Sequence, residues 1–258
     1  MASFPDHFSS VAAEYATSRP TYPLELLSWI AAQCSEHYLA WDCATGSGQT
    51  AVALADFFDV VIASDASDEQ IAHARAAHNV RYRCFPAEQA DLSDQSVDLI
   101  TVAQAFHWFD LEAFIAEAYR VLRPTGLIAV WSYGRNVVDD SGELTGIIDD
   151  FHDRLLEPFW PAERRHVLNG YADLPFPFTE LEVPQFTMRT RWTLGQLLDY
   201  FGTWSAVVRY RRARGIDPRE EIAPVLARHW GAPDRIRPIS WPLTVRAGHP
   251  RPASITGS

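Results

Sequence analysis

Tyr38-Leu-Ala-Trp-Asp-Cys43 is followed at once by Ala44-Thr-Gly46-Ser-Gly48-Gln-Thr-Ala51 and then by Val60-Val-Ile-Ala-Ser-Asp65. The first stretch is a short apolar run of strand length, closed by a glycine-bearing turn. The second opens a helix of small residues that the pattern extends to about Phe58. The third is a β-branched run that ends on a carboxylate. Strand, glycine turn, helix and acid-tipped strand together make a βαβ unit, which requires the two strands to be parallel.

Working outward, the rhythm repeats. Ser67-Asp-Glu-Gln70 is a capping-box pattern that predicts a helix to about His78, and Val80, Tyr82 and Cys84 alternate as a third strand. After a polar loop at 86–96, Val97-Asp-Leu-Ile-Thr-Val102 reads as a fourth strand. A helix from about Asp110 puts Leu111, Phe114, Ile115, Ala118, Tyr119 and Leu122 on one face, with Pro124 and Gly126 as its stop signals. Leu127 to Trp131 is the fifth strand. Leu181 to Trp192 and Ile239 to Ala247 read as an antiparallel pair completing the sheet, with helices over 193–213 and 218–230. The expected fold is α/β: a doubly wound, mostly parallel, seven-stranded Rossmann-like sheet with helices on both faces and a small cap. Residues 1–37 are expected as N-terminal cap helices, 38–134 as the nucleotide-binding core and 135–180 as a cap insertion. Residues 181–248 are expected to complete the sheet with flanking helices, and 249–258 to form a tail.

Composition excludes several chemistries. The 258 residues contain 22 arginines and no lysine, so a lysine Schiff base, a P-loop lysine and a Tyr-x-x-x-Lys pair are all impossible. Cys34, Cys43 and Cys84 show no C-x-x-C spacing and no H-E-x-x-H occurs, so no metal is expected. The net charge of −11 lies wholly in residues 1–134, which argues against a nucleic-acid partner. No window approaches eighteen apolar residues, and Met1 to Asp6 lacks a basic or apolar leader. The expectation is a cytoplasmic protein with no membrane partner, its oligomeric state unknown.

The turn carries the chemistry. Gly46 and Gly48 let backbone approach a ligand, and the helix beyond offers unpaired N–H groups. Asp65, at the end of the next strand, is placed to take a ribose diol. Both a dinucleotide and S-adenosylmethionine share this geometry. Asp42, four residues before Gly46, favours a cationic sulfonium ligand with its ammonium group over a pyrophosphate, and no arginine stands near to hold a 2′-phosphate.

These stretches resemble the class I S-adenosylmethionine-dependent methyltransferases, in the small-molecule branch of the trans-aconitate methyltransferase-like proteins. Trp41-Asp-Cys-Ala-Thr-Gly-Ser-Gly48 is similar to the family's D-x-G-x-G-x-G, with Ala44 at its first glycine. Ile62-Ala-Ser-Asp65-Ala66 resembles the ribose-binding strand end. Ala87-Glu88 resembles the adenine-side loop, although Pro86 stands where an aspartate is usual. Tyr119-Arg-Val-Leu-Arg-Pro-Thr-Gly126 and Tyr15-Ala-Thr-Ser-Arg19-Pro-Thr-Tyr22 resemble further family segments. The resemblance implies S-adenosyl-L-methionine as cofactor, leaving as S-adenosyl-L-homocysteine. It places Asp42, Ala44, Gly46, Gly48, Asp65, Ala66, Ala87, Glu88 and Ala103 at the donor, and Tyr15 and Arg19 at the donor's amino-acid end.

The acceptor side is expected beyond the fourth strand, at Ala103-Gln-Ala-Phe-His107-Trp-Phe-Asp110. His107 is read either as a general base or as a residue that caps the pocket or orders the loop. Trp108, Trp131, Tyr133, Trp160, Tyr171 and Trp204 are the candidate acceptor-pocket aromatics, with core packing as their alternative. The expected activity is methyl transfer to an oxygen or nitrogen of a small-molecule acceptor. A nicotinamide-dependent oxidoreductase and a non-catalytic nucleotide-binding protein are the rival readings.

Overall fold

A computed structural model describes residues 19–251, which divide into two compact units. The first unit comprises Tyr22–Tyr133, Asn169–Phe186 and residues 243–251. Its helix α1 (Leu24–Ala32) follows Pro23, whose extended backbone starts the helix, and buries Leu26, Leu27, Ile30 and Ala31. Strands β1 (Leu39–Cys43), β2 (Val60–Asp65), β3 (Val80–Cys84), β4 (Val97–Ala103) and β5 (Leu122–Tyr133) pair in parallel in the order β3-β2-β1-β4-β5. The chain winds outward from β1 to β3, then returns to lay β4 on the other side of β1. That reversal opens a crevice at the carboxyl ends of β1 and β4. The second half of β9 (Arg237–His249) closes this edge antiparallel to β5, pairing Gly248 to Leu243 with Ile128 to Tyr133, and β7 (Thr179–Glu180) adds to its end.

Strand alternation explains the two helical layers. Ala40, Leu99, Leu127 and Ala129 point to the face where Leu26, Ile30, Ala51 and Leu54 of α1 and α2 (Gln49–Leu54) form the core. Trp41 points the other way, its ring 6.0 Å from Phe85 and 6.3 Å from Phe114 of α4 (Leu111–Val121). Asp110 caps α4 by accepting the Ala113 N–H, and Phe114, Ala118 and Val121 are its buried stripe. Helices therefore cover both faces, as the sequence pattern predicts.

The second unit comprises Gly134–Leu168 and Thr187–Pro242, with residues 19–21. It contains β6 (Val137–Val138), paired with the first half of β9, and α5 (Gly142–Asp150), which widens into a π-helical turn at Phe151–Leu155. Helices α6 (Arg164–Leu168), α7 (Leu194–Gly202), α8 (Ser205–Arg214) and α9 (Arg219–Trp230) follow, with α9 packed on α7 and α5.

Several expectations change. Nine strands are present among the described residues rather than seven, because the thirteen-residue β9 recruits the short β6 and β7 as well as β8 (Phe186–Trp192). Of the helices in 193–230, α9 packs on α7 and α5 within the second unit, whereas Asn169–Phe186 belong to the sheet unit. The helix expected over 193–213 breaks at Thr203, whose hydroxyl bonds back to the Tyr200 carbonyl at 2.7 Å. The helix after Ser67, α3 (Asp68–Ala72), stops well before His78 because the chain there is tied elsewhere: the Arg75 N–H donates to the Ser47 carbonyl and the Tyr82 hydroxyl to the Arg75 carbonyl. Of the expected N-terminal cap helices over 1–37, residues 1–18 fall outside the described residues. Among those described, no helix is long and apolar enough to cross a membrane.

Candidate active site

The turn after β1 is built from left-handed backbone. Ala44 has φ 54°, Gly46 54° and Gly48 76°. An L side chain tolerates this poorly, so Ala44 carries strain that glycine would not. A Cβ on Gly46 would meet only Gln70 Oε1 at 4.0 Å, so this part of the loop opens outward, whereas one on Gly48 would collide with the Tyr82 hydroxyl oxygen. Gly46 thus presents bare backbone and Gly48 admits the close packing of α2 on β3.

Two carboxylates, Asp42 and Asp65, bond to this loop, and a third, Glu88, follows β3. Asp42 is 1% exposed; its Oδ2 accepts from Thr45 Oγ1 at 2.5 Å and its Oδ1 from Thr101 Oγ1 at 2.7 Å. Strand register supplies the second partner, since Asp42 lies opposite Thr101 on β4. Burial pushes the Asp42 carboxyl up to about 6, against the hydroxyl and backbone hydrogen bonds that lower it, and Asp65 adds to the rise. Asp65 at the tip of β2 accepts the N–H of Gly46 and of Ser67, both at 3.0 Å, so it shapes the loop as well as facing it. Glu88, in the loop after β3, accepts the Asp110 N–H at 3.0 Å and so joins that loop to the start of α4. The buried Cys43 thiol is pushed well above its ordinary range by burial first and then by the charges of Asp42, Glu88 and Asp65. Beside them Ala66 follows Asp65 at the end of β2, Ala87 is buried, and Ala103 ends β4 opposite Trp131.

Beyond β4 the backbone turns sharply at Gln104 (φ 58°), which spans the ends of two strands: its N–H donates to the Trp131 carbonyl and its Nε2 to the Tyr133 carbonyl, each at 2.9 Å. A 3-10 turn, Phe106–Trp108, then carries His107, whose Nδ1 lies 3.0 Å from the Tyr171 hydroxyl. Tyr171 is fully buried and follows Gly170 in left-handed backbone, so its ring is fixed. The Trp108 ring lies 4.6 Å from that of His107, tilted by 41°.

The other candidate aromatics separate. Trp131 lies in the core, because residues 127, 129 and 131 share the α1 face; it meets Tyr22 edge-on at 5.4 Å, and Tyr133 lies 6.4 Å from Tyr22. Trp160 and Trp204 belong to the second unit, 5.7 Å apart. Arg19 also belongs there, donating to the Thr203 carbonyl at 3.3 Å and lying 5.3 Å from the Tyr200 ring. Tyr15 falls outside the described residues. Sequence reasoning missed Thr45, Thr101 and Gln104. Only the β1–β4 register and the positive φ at 104 reveal their parts.

A methyltransferase-domain family model matches residues 41–130. A protein of Dictyostelium discoideum provisionally named a methyltransferase is 34% identical over 233 residues, covering 90% of this chain and 89% of its own length. The chain belongs to the class I S-adenosylmethionine-dependent methyltransferases. An uncharacterized methyltransferase of Schizosaccharomyces pombe is 30% identical over 207 residues, 78% of this chain and 80% of that one. A solved structure from Anaeromyxobacter dehalogenans, provisionally named a type II methyltransferase, gives a TM-score of 0.84 at 44% identity and covers 90% of this chain and 99% of that one. The methyltransferase assignment displaces both the nicotinamide and the non-catalytic readings. The site agrees with it in charge: clustered carboxylates suit a cationic sulfonium and ammonium and repel a pyrophosphate.

Proposed function

We propose that this methyltransferase binds S-adenosylmethionine at the carboxyl ends of β1, β2 and β4 and methylates an oxygen or nitrogen of a small molecule, in the manner of the trans-aconitate methyltransferase-like branch it resembles. The observation that carries the donor reading is the pair of carboxylates bonded to a glycine loop whose Gly46 opens outward: Asp42 accepts from Thr45 and Asp65 from the Gly46 N–H. Asp65, held at the tip of β2 by the N–H groups of Gly46 and Ser67, is the carboxylate placed to accept from the ribose hydroxyls. Asp42 faces the donor's ammonium group, Gly46, Gly48 and Ala44 give backbone approach, and Ala66, Ala87, Glu88 and Ala103 border the adenosine. When bound, the donor supplies a methyl group on sulfur that a nucleophile displaces in line. The protein's part is to hold the nucleophile in place and to exclude water.

His107 is the proposed acceptor-side residue. Its tautomer decides its role. If Nδ1–H donates to the Tyr171 hydroxyl, Nε2 carries a lone pair and can take the acceptor's proton; if the tyrosine donates, Nε2 is protonated and His107 only positions. Trp108, Tyr133 and Tyr171 border this side.

Calorimetry tests the donor site. S-adenosylhomocysteine is expected to bind and Asp65→Ala to weaken it by about 1–3 kcal/mol, through lost charge-assisted hydrogen bonds. Binding of NADH with neither sulfur nucleotide would overturn the reading.

A further inference from the structure

We propose that the second unit holds a subsite for a planar aromatic ligand, whose hydroxyl or ring N–H donates a hydrogen bond to His152 Nε2. His152 is 4% exposed, and its Nε2 has no hydrogen-bond partner among the described residues. Its other nitrogen is committed: Nδ1 lies 2.9 Å from Asp153 Oδ1, and a carboxylate only accepts, so Nδ1 carries the proton. Arg135 anchors that carboxylate in turn, at 2.8 Å. The ring is held neutral, its pKa lowered to about 4 by burial foremost and by the charges of Arg164 and Arg135 against the Asp153 hydrogen bond. Nε2 is therefore a fixed lone pair waiting for a donor.

Its surroundings select a flat ligand. His152 stacks on Trp160 at 4.5 Å and meets Trp204 edge-on at 5.8 Å, while Phe151 and Phe201 pack around Trp204 at 6.2 and 4.5 Å. Trp160 is pinned by its own indole N–H, which donates to the His152 carbonyl at 3.2 Å. The π-helical turn at Phe151–Leu155 sets this register, a device frequent at functional sites. Asn136, beside Arg135 in sequence and 1% exposed, leaves both amide atoms without partners among the described residues, a second unmet polar group in the same unit. Burying such groups unmet is costly, and a ligand with a matching donor relieves that cost.

This proposal does not rest on the proposed function. The test uses the full chain with phenol and its methyl ether, anisole, which keeps the ring and removes the donor. Phenol is expected to bind roughly ten-fold more tightly than anisole. It should also shift the Nε2 resonance of His152 in long-range 1H–15N spectra, assigned with His152→Gln. His152→Phe should bind both probes alike, and His152→Gln, which retains an acceptor, should keep the preference. Equal affinities in the wild type, no binding of either probe, an unmoved Nε2 resonance at saturation (as when water fills the place) or a preference surviving in His152→Phe would overturn the proposal. If His152→Phe does not fold, the wild-type resonance and His152→Gln decide. S-adenosylhomocysteine titrated separately distinguishes failure of the donor site from failure here.

Discussion

Replacing Asp42 by asparagine is expected to make the protein more stable at neutral pH and a weaker donor binder. The carboxyl is raised from its ordinary 3.8 to about 6 by burial. Each unit corresponds to about 1.4 kcal/mol, so holding Asp42 ionised in the folded state costs about 3 kcal/mol. Because the folded pKa is the higher one, the folded state binds more protons between the two values, and the cost sets in as pH rises from about 4 to 6. The asparagine side chain of the variant keeps the shape, offers an oxygen to one threonine hydroxyl and meets the other as donor. Urea unfolding followed by circular dichroism, run on both proteins from pH 4 to 7.5, reads the difference directly. Groups common to both, such as Glu117 and Asp217, cancel. The stability difference should be small near pH 4 and grow with pH to about 3 kcal/mol in favour of Asp42→Asn, while S-adenosylhomocysteine affinity falls. A difference that stays flat with pH, or a variant less stable at pH 7.5, would refute the reasoning.

Ala44→Gly should gain about 1 kcal/mol in urea unfolding by relieving a left-handed alanine; a loss would show the strain is absent. Gly48→Ala should lose about 1–3 kcal/mol through clash with the Tyr82 hydroxyl and its positive φ, and adding Tyr82→Phe should restore only the steric part. His107→Ala should lower turnover on an identified acceptor about 10²–10⁴-fold and remove the acidic limb of the pH–rate profile if His107 is the base; near-normal turnover would sink that role.

The parallel core was legible because each strand, turn and helix signal is local: Trp41 to Ala51 already contains the strand end, the glycines and the helix start. Asp42 and Asp65 were legible for the same reason. What escaped depends on register between distant segments. Thr101 meets Asp42 only because β4 returns beside β1, and α3 is cut short where Arg75 donates its N–H to the Ser47 carbonyl and accepts from the Tyr82 hydroxyl, which no helix propensity encodes. The aromatic-rich stretch after Tyr133 lacks a clean period. Whether Trp131 or Trp160 is packing or pocket is set by which unit and which face each joins.

Strand β9 gives the sheet unit a particular life history on the ribosome. Its antiparallel partner for β5 is supplied by Gly248 to Leu243, more than a hundred residues further along the chain. During synthesis the β5 edge must therefore stand unpaired while all of Gly134–Pro242 emerges, a long interval for an exposed edge strand and one in which rival strands can add to it. Chains truncated just before Leu243 should expose that edge permanently and aggregate, even though every residue of the donor loop would be present.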